Sequence, residues 1–371
     1  MKLQHLNVTT YIFQFFALLL VTFILPVTEG QSQTVEKTRL ITDMHGKKVS
    51  VPDPLNRVAL FGGPTGQIAY ILGARNQLCA VTSALKGSEL INAFDPTVKS
   101  LPAPRSVSGQ INIEELVLSN PQVVIAGTMD GSIVEKKTKI PVAYTESNMN
   151  HGRDLLKREI RFYASVFQKE ERGEKYIAYL EKTIAFVTSR TADIPEEKKK
   201  KVFNAYSHNH LVTLGGDTFM HERIVTAGCI DATAEMKTSG SKEGLHSGLT
   251  EISHEKVLDW NPDILIIDSG KPEDLYKDAR WKNIKAVRNR QVYIQPVGVF
   301  IWDRPTAEAA VLYPLWLAKT VYPERFKDVD MMLEVKRFYS EVMSFNLSDT
   351  QAKALLNGSY KRSIDAAHGK W

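Results

Sequence analysis

The histidines of this sequence are the side chains most readily linked to chemistry, because neutral imidazole is a common metal ligand. His208 and His210 follow an apolar segment that predicts a strand, and His246 lies in a segment rich in glycine and serine. Successive side chains of an extended chain point to opposite sides, so His208 and His210 do not predict a two-histidine metal site. His246 is the predicted metal and ligand contact, and a solvent-exposed loop residue is the alternative interpretation.

The first half of the chain contains groups suited to an anion. Gly63 and Thr65 precede a predicted helix, where free backbone N–H groups and the helix dipole favour negative charge. A tight turn with Thr65 as the helix cap is the alternative. Arg105 is followed by Ser106 and Ser108, and an arginine with two hydroxyl groups suits an oxoanion or a carboxylate-bearing chelate. An ordinary surface arginine remains the alternative for Arg105.

A second arginine has an aromatic neighbour. Trp302, Asp303 and Arg304 are consecutive, so a stacking face and a fixed charge could both reach a ligand. Asp303 could instead pair with Arg304 and orient it. Pro305 at the first position of a predicted helix fits a plain helix start, which can coexist with a ligand role. Trp302 and Arg304 are therefore predicted ligand contacts.

A repeated sequence motif predicts the helices and strands that position these side chains. Residues 111–121 form a short predicted helix that runs into the apolar strand Val123–Ala126, and residues 252–262 run in the same way into Ile264–Ile267. In each copy a capping residue opens the helix, and an Asn-Pro pair ends it. Unbroken apolar strands are typical of parallel strands buried on both faces. The repeat predicts two similar α/β lobes, and a cleft between lobes can bind a small ligand.

Ligands of open α/β sheets bind beyond the carboxyl ends of the strands. Tyr206 ends the predicted strand Val202–Tyr206 and is a further predicted ligand contact on this rule. The loops that the rule selects, and that contain the other candidate residues, are 62–65, 83–87, 105–110, 127–132, 207–210, 239–247, 268–271 and 296–304.

Apolar residues at helical spacing predict an almost uninterrupted helix over residues 152–190, with Gly173 as the one weak point. The predicted fold class is therefore α/β, with two Rossmann-like lobes joined by one long helix and a ligand cleft between them. The predicted segments are an N-terminal lobe over 31–150, a connecting helical segment over 151–190 and a C-terminal lobe over 191–371. A helical connector has few hinge residues, so small lobe motion is expected.

Composition excludes several classes of protein. Hydrophobic residues make up 43% and charged residues 24% of the 371 positions, as in ordinary globular proteins. The net charge is only +5, and the basic run 198–201 follows two glutamates, which predicts a solvated turn and no nucleic-acid binding. Cys79 and Cys229 both lie in apolar surroundings in different predicted lobes, which favours two buried free thiols over a disulfide.

Residues 1–30 predict an export signal. Lys2 precedes an apolar stretch that Pro26 ends, and small residues at Thr28 and Gly30 suit cleavage before Gln31. The apolar stretch is short for a membrane span, although a retained anchor is the alternative. We therefore expect the mature protein in the periplasm or extracytoplasmic space.

With its elements in this order, the chain resembles the periplasmic substrate-binding proteins of ABC importers for siderophores, haem, vitamin B12 and related metal species. The resemblance covers most of residues 36–356. Its motifs include Ile71-Leu-Gly-Ala, Asn261-Pro-Asp-Ile-Leu-Ile, Trp281-Lys-Asn-Ile-Lys-Ala-Val and Val321-Tyr-Pro-Glu-Arg-Phe. The stretch Trp302-Asp-Arg-Pro-Thr-Ala-Glu is similar to a branch that includes molybdate/tungstate binders and iron-complex binders.

The resemblance implies binding and delivery of a solute rather than catalysis. The implied ligand is a metal species such as an iron-siderophore or similar chelate, with an oxoanion such as molybdate or tungstate as the alternative, and no resident cofactor is implied. The implied partners are an ABC permease and its ATPase at the inner membrane, the protein is expected to be a monomer, and no nucleic acid is expected. An exported enzyme that handles metal chelates is the other class, but the sequence shows no nucleophile–base pair and no phosphate-binding loop.

In the resembled family, an acidic residue on the outer tip of each lobe pairs with arginines of the permease. Glu222 lies at the position where such a residue is expected in the second lobe. The first lobe carries Gln67 at the comparable place, which puts symmetric two-point docking in doubt. Stabilisation of its own helix N-terminus is the alternative role of Glu222.

Overall fold

The computed structural model describes residues 37–62, 66–146, 152–239 and 248–361. The predicted export signal and the predicted contacts Gly63, Thr65 and His246 lie outside these ranges. No helix in the described ranges has the length and apolar composition that crossing a bilayer requires.

The first lobe is built on a parallel sheet that is preceded by an antiparallel hairpin. Its strands and helices are β1 Thr38–Thr42, β2 Lys48–Pro52, β3 Val58–Leu60, β4 Leu78–Ala80, β5 Val123–Ala126, β6 Val142–Tyr144, α1 Gln67–Ile71, α2 Ser83–Lys86, α3 Glu89–Phe94, α4 Ile113–Leu118 and α5 Thr128–Lys137. Strands β1 and β2 form the hairpin, and the parallel sheet has the order β4-β3-β5-β6. Its four strands are wholly buried, as the unbroken apolar runs predict.

The second lobe repeats this plan. Two helices precede it, α6 Arg153–Phe167 and α7 Glu170–Thr191, and its own elements are β7 Lys201–Ala205, β8 Val212–Leu214, β9 Ile230–Asp231, β10 Leu249–Glu251, β11 Ile264–Ile267, β12 Val292–Ile294, α8 Phe219–Thr226, α9 His254–Trp260, α10 Pro272–Lys277 and α11 Lys285–Arg288. The parallel sheet has the order β12-β11-β7-β9, and β8 pairs with β10 in a short antiparallel ribbon. Three helices follow, α12 Ala307–Val321, α13 Met331–Glu341 and α14 Asp349–Leu356.

Both parallel sheets have the same strand order. When the parallel strands are numbered within each lobe, their order is second-first-third-fourth. The repeated sequence motif forms α4 with β5 in one lobe and α9 with β11 in the other. Asn112 and Ser253 cap these helices by accepting from a backbone N–H, as expected. The asparagines before the prolines, Asn120 and Asn261, leave the right-handed helical region for the left-handed one. The α/β prediction is confirmed, and the repeat marks the third strand of each lobe.

The connecting segment differs from its prediction, because it contains two helices rather than one. Gln168 adopts a left-handed conformation with φ of 55° and ends α6, after which α7 begins at Glu170. The predicted weak point, Gly173, lies inside α7, where an added Cβ would come within 2.9 Å of the Ala164 Cβ. Glycine at this position therefore allows α6 and α7 to pack closely. The long helix that leads into the second lobe is α7.

One hydrophobic cluster extends across both lobes. It joins buried residues from one face of each sheet with those of α6, α7 and the C-terminal helices. The opposite faces of the two sheets pack in separate clusters, one in each lobe. Cys79 and Cys229 are both buried and free, as predicted. The predicted segment boundaries at residues 150 and 190 remain predictions.

Candidate functional site

The strand order places a topological switch point in each lobe. The connections that leave the first and third strands go in opposite directions, and ligands of open α/β sheets bind beyond the carboxyl ends of these strands. In the first lobe these ends lead into Phe61 and Gly127, and in the second into Tyr206 and Asp268. Most of the candidate residues lie at this edge of the sheets.

Arg105 lies at the carboxyl edge of the first sheet, where it pairs as an isolated bridge with Thr82. Its guanidinium Nε forms an ion pair with Asp130, in the first turn of α5, and both side chains are 13% exposed. The predicted loop over 127–132 is therefore the start of a helix. Because Asp130 already neutralises Arg105, this arginine can offer hydrogen bonds to a ligand but little net charge.

The two serines after Arg105 form a compact turn with it. The hydroxyl groups of Ser106 and Ser108 are 2.9 Å apart, and Ser106 Oγ also accepts from the Gln110 backbone N–H at 3.0 Å. The structure thus brings these three predicted contacts together. No hydrogen bond or ion pair joins them to Tyr206 or Arg304 in the described part of the chain.

Tyr206 and Arg304 form the second-lobe half of the candidate site. Tyr206 is 4% exposed, and burial raises the pKa of its hydroxyl well above the ordinary value, with the negative charge of Asp303 adding to the effect. The group therefore stays a phenol that can donate a hydrogen bond. Arg304 Nη1 lies 3.0 Å from Asp303 Oδ1. Within the described residues, neither the Tyr206 hydroxyl nor Arg304 Nε has a hydrogen-bond partner, although both are buried.

Arg223 supports the loop that carries Arg304. Its buried guanidinium donates to the backbone carbonyls of Trp302 and Arg304, at 2.9 Å each, and of Thr306 at 3.4 Å. Burial lowers the pKa of Arg223 to about 10, so the group remains a cation at neutral pH. It also lies over the Phe219 ring at 4.5 Å.

Trp302 does not have the predicted position. Its side chain has no exposed surface, and its indole N–H donates to Glu308 Oε1 at 3.1 Å. The prediction that Trp302 offers a stacking face to a ligand is therefore corrected. The helix start was also placed too early, because Thr306 is the N-cap of α12 and Pro305 precedes it. The pairing of Asp303 with Arg304 is confirmed.

The side chains of His208 and His210 lie in different environments, but the cause is not the extended chain that the sequence predicts. Ser207 and His210 both have positive φ, so the segment is a turn rather than an extended chain. His208 is exposed and His210 is buried. Burial lowers the pKa of His210, and its Nδ1 has no hydrogen-bond partner among the described residues.

Among the residues that the structure describes, the other histidines form no metal site with His210. His221 Nδ1 lies 2.9 Å from Asp231 Oδ2. In the described ranges, no group of three or more histidine, cysteine, aspartate or glutamate side chains is arranged to hold a metal ion. The predicted metal contact at His246 stays a prediction.

The two candidate docking positions both form internal contacts. The Glu222 carboxylate accepts a hydrogen bond from the Arg153 backbone N–H at 2.8 Å and pairs with the Arg153 guanidinium. It therefore caps the N-terminus of α6. Gln67 has no exposed surface and donates to Glu308 at 2.8 Å. The assignment of Gln67 to the outer tip of the first lobe is therefore wrong.

Four residues have polar roles around the site that the sequence did not predict. Asp130 and Arg223 lie inside helices, where their sequence neighbours give no sign of a partner. Gln67 and Glu308 are 241 positions apart along the chain. The signal that was available is Glu308 itself, the one charged residue in the otherwise apolar stretch 307–318 of α12, all of which is buried.

Comparison with known proteins agrees with this architecture. The molybdate-binding protein MolA of Haemophilus influenzae is 27% identical over 331 residues, which cover 82% of this chain and 90% of MolA. The structure of MolA bound to molybdate has a TM-score of 0.70 at 25% identity and covers 84% of this chain and 99% of its own.

Two further relatives extend the comparison. A periplasmic solute-binding protein from Veillonella parvula has a TM-score of 0.74 at 25% identity, with 90% of this chain and 100% of that chain covered. The iron(3+)-hydroxamate-binding protein FhuD of Bacillus subtilis is 24% identical over 199 residues, which cover 52% of this chain and 61% of FhuD. The two-lobed fold prediction is confirmed by the structural neighbours. A model of the periplasmic binding proteins matches residues 58–297, well over half of the chain, and the chain therefore belongs to the periplasmic binding protein family.

Proposed function

We propose that the protein captures an oxygen-rich, anionic metal species between its lobes, such as an iron-siderophore or similar chelate, and delivers it to an ABC permease. The observation that supports this ligand chemistry is the pair of buried donors at the second-lobe switch point, the Tyr206 hydroxyl and Arg304 Nε. A buried donor without an acceptor costs about 1–3 kcal/mol. Carboxylate, hydroxamate or oxoanion oxygens would remove this cost on binding.

An oxoanion such as molybdate is the second candidate. It is supported by the similarity to MolA, which extends over most of both chains. Molybdate and a ferric chelate both present oxygen acceptors to the same donors, so the donors alone do not select between them. Arginine suits both ligands, because its planar guanidinium donates to paired oxygens.

Elemental analysis and native mass spectrometry of protein purified without added metal test the proposal directly. Iron with the mass of an organic ligand would support a chelate, and molybdenum or tungsten with no organic mass would support the oxoanion. Titration of stripped protein with the ferric complex of a trihydroxamate siderophore and with sodium molybdate then gives the affinities. A protein that retains no metal and binds neither probe contradicts the proposed function.

Arg304→Ala and Arg105→Ala are each expected to weaken binding of the retained ligand. Loss of a charge-assisted hydrogen bond should cost about 1.5–3 kcal/mol, or roughly tenfold or more in affinity. Both arginines pair with an aspartate, but Arg304→Ala should have the larger effect, because Arg304 Nε has no hydrogen-bond partner among the described residues, whereas Arg105 Nε is held by Asp130. The measurement is isothermal titration calorimetry.

Arg280→Ala is the matched control for these variants. Arg280 also pairs with a nearby aspartate, Asp278, but its side chain is 74% exposed, and it follows α10, outside the loops that contain the candidate residues. Wild-type affinity in all three variants would remove Arg304 and Arg105 from the site. A loss confined to His246→Ala would instead indicate direct metal contact.

The cellular setting belongs to the same proposal. The protein is exported through residues 1–30, acts as a monomer in the periplasm and works with a permease and its ATPase. It has no resident cofactor, no catalytic activity and no nucleic-acid partner. Each of these expectations accords with family membership. Genes for a permease and an ATPase beside this one would support the partnership.

Glu222→Ala tests permease docking. We expect lost uptake in a reconstituted transport assay with unchanged ligand affinity, together with a stability loss of about 1 kcal/mol, because the N-terminus of α6 loses its acceptor. Asp154→Ala is the control, since Asp154 is an acidic residue in the first turn of α6, next to the Arg153 that Glu222 contacts, and its side chain is 95% exposed. Normal uptake by Glu222→Ala would leave Glu222 with a helix-capping role only.

A further inference from the structure

Glu308, in the first turn of α12, is a carboxyl group with no exposed surface. Its Oε2 accepts from the Gln67 side-chain amide at 2.8 Å and from the Val299 backbone N–H at 3.0 Å. Its Oε1 accepts from the Trp302 indole at 3.1 Å and from the Tyr339 hydroxyl at 2.6 Å. Each oxygen thus faces at least one group that can only donate, so both positions require an acceptor.

These donors come from both lobes. Gln67 is the first residue of α1, directly after the loop of the first lobe that carries Gly63 and Thr65. Its amide makes two bonds, because Gln67 Oε1 also accepts from the Glu308 backbone N–H at 3.1 Å. Val299 and Trp302 belong to the second-lobe loop that leads to Arg304.

A second bond between the lobes reinforces the first. Ser88, the N-cap of α3, is 2% exposed and donates to the Val299 carbonyl at 2.7 Å. The peptide groups of Val299 are therefore held on one side by Glu308 and on the other by Ser88. Unpaired polar groups in such a buried place are costly, so this arrangement strongly favours one relative position of the loop and the first lobe.

We propose that Glu308 is a positioning residue of the binding site, which sets the spacing of the cleft walls by holding the Arg304 loop through Val299 and Trp302 and the first lobe through Gln67. This inference deepens the proposed function, because it concerns the same cleft. It also gives a physical reason for small lobe motion. Any hinge opening that separates α1 from α12 and the Arg304 loop breaks both buried bonds between Gln67 and Glu308 and leaves the Glu308 carboxyl with one donor fewer.

Two variants, Gln67→Leu and Tyr339→Phe, separate the role of Glu308 between the lobes from its role in stability. Gln67→Leu removes the bonds between α1 and Glu308 and leaves Val299, Trp302 and Tyr339 in place. Tyr339→Phe removes one donor to the same carboxylate and leaves the bonds to Gln67 intact. Both variants lose buried hydrogen bonds, so both should be less stable. Only Gln67→Leu should loosen the spacing of the lobes.

Distances between spin labels on the two lobes, measured by pulsed electron paramagnetic resonance, distinguish a loosened spacing of the lobes from a loss of stability alone. Labels are attached to cysteines introduced at Lys136 on α5 and Lys277 on α10, both exposed positions on helices of different lobes. Cys79 and Cys229 are buried, and the unmutated protein, treated with the same label, checks that they do not react. The distances are measured without ligand, and titrations with sodium molybdate and a ferric trihydroxamate complex follow.

We expect a wider distance distribution in Gln67→Leu than in the wild type and a wild-type distribution in Tyr339→Phe. For the probe that the wild type binds, the affinity of Gln67→Leu should be at least about tenfold lower. Ser88→Ala, a milder change, should widen the distribution in the same direction and carries the test if Gln67→Leu does not fold. A wild-type distribution in the folded variants of Gln67 and Ser88, or equal widening in Tyr339→Phe, overturns the inference. If the wild type binds neither probe, the proposed function fails, and the distances still decide the role of Glu308.

Discussion

Gly298→Ala is expected to destabilise the protein by about 3 kcal/mol or more. A Cβ at this position would come within 1.8 Å of Glu308 Oε1, far inside van der Waals contact. The carboxylate cannot retreat, because four donors hold it and it has no exposed surface. Alanine must therefore move either the backbone of the Arg304 loop or Glu308 itself. Urea denaturation monitored by circular dichroism measures the loss.

Gly127→Ala is the matched control for this change. Gly127 also follows a strand at the carboxyl edge of a parallel sheet, but a Cβ there would meet no atom within 4 Å. Its φ of −69° is open to any residue, so the expected change is within about 0.5 kcal/mol. Equal stability of the two variants would show that the loop around Gly298 is loose and that Glu308 does not hold it.

The parts of the fold that were predictable from the sequence are those that local patterns encode. The apolar strands, their capped helices and the Asn-Pro ends recur in two copies, and each copy forms the third strand of a lobe. The break between α6 and α7 has no such local signal. Gln168 takes a left-handed conformation without glycine or proline, and the apolar spacing on its two sides also fits one continuous helix.

The candidate site was predictable only in part, for a physical reason. The rule for parallel sheets locates Arg105, Tyr206 and Arg304 at the carboxyl edges, because it depends on strand direction alone. Whether a polar side chain faces a ligand or a buried partner depends on residues far away in the chain. Trp302 was predicted to offer a stacking face to a ligand and Gln67 to occupy the docking position of the first lobe, yet both bond to Glu308 in the interior.

Arg223→Met is expected to lower both stability and ligand affinity. Methionine is of similar length and removes the cost of burying a cation, but it leaves the backbone carbonyl of Trp302 without a donor. The carbonyls of Arg304 and Thr306 lose one donor each and still accept from the backbone N–H groups of Thr306 and Ala310. An unpaired buried acceptor costs about 1–3 kcal/mol, so we expect a net loss of stability of about that size. The loop that carries Arg304 would then be free to shift, and affinity should fall by roughly tenfold or more.

Arg172→Met distinguishes a specific effect on the Arg304 loop from a general loss of stability. Arg172 also donates to backbone carbonyls, those of Ile71 and Val342, near the C-terminal ends of α1 and α13. We expect this variant to lose stability and keep its affinity, because neither carbonyl belongs to the Arg304 loop. Thermal unfolding and calorimetric titration of both variants at one temperature make the comparison. If Arg172→Met and Arg223→Met lost affinity equally, the affinity would follow overall stability. A loss confined to Arg223→Met would indicate that the guanidinium acts on the ligand through the position of Arg304, because its side chain is only 6% exposed and donates to the backbone of the loop that carries Arg304.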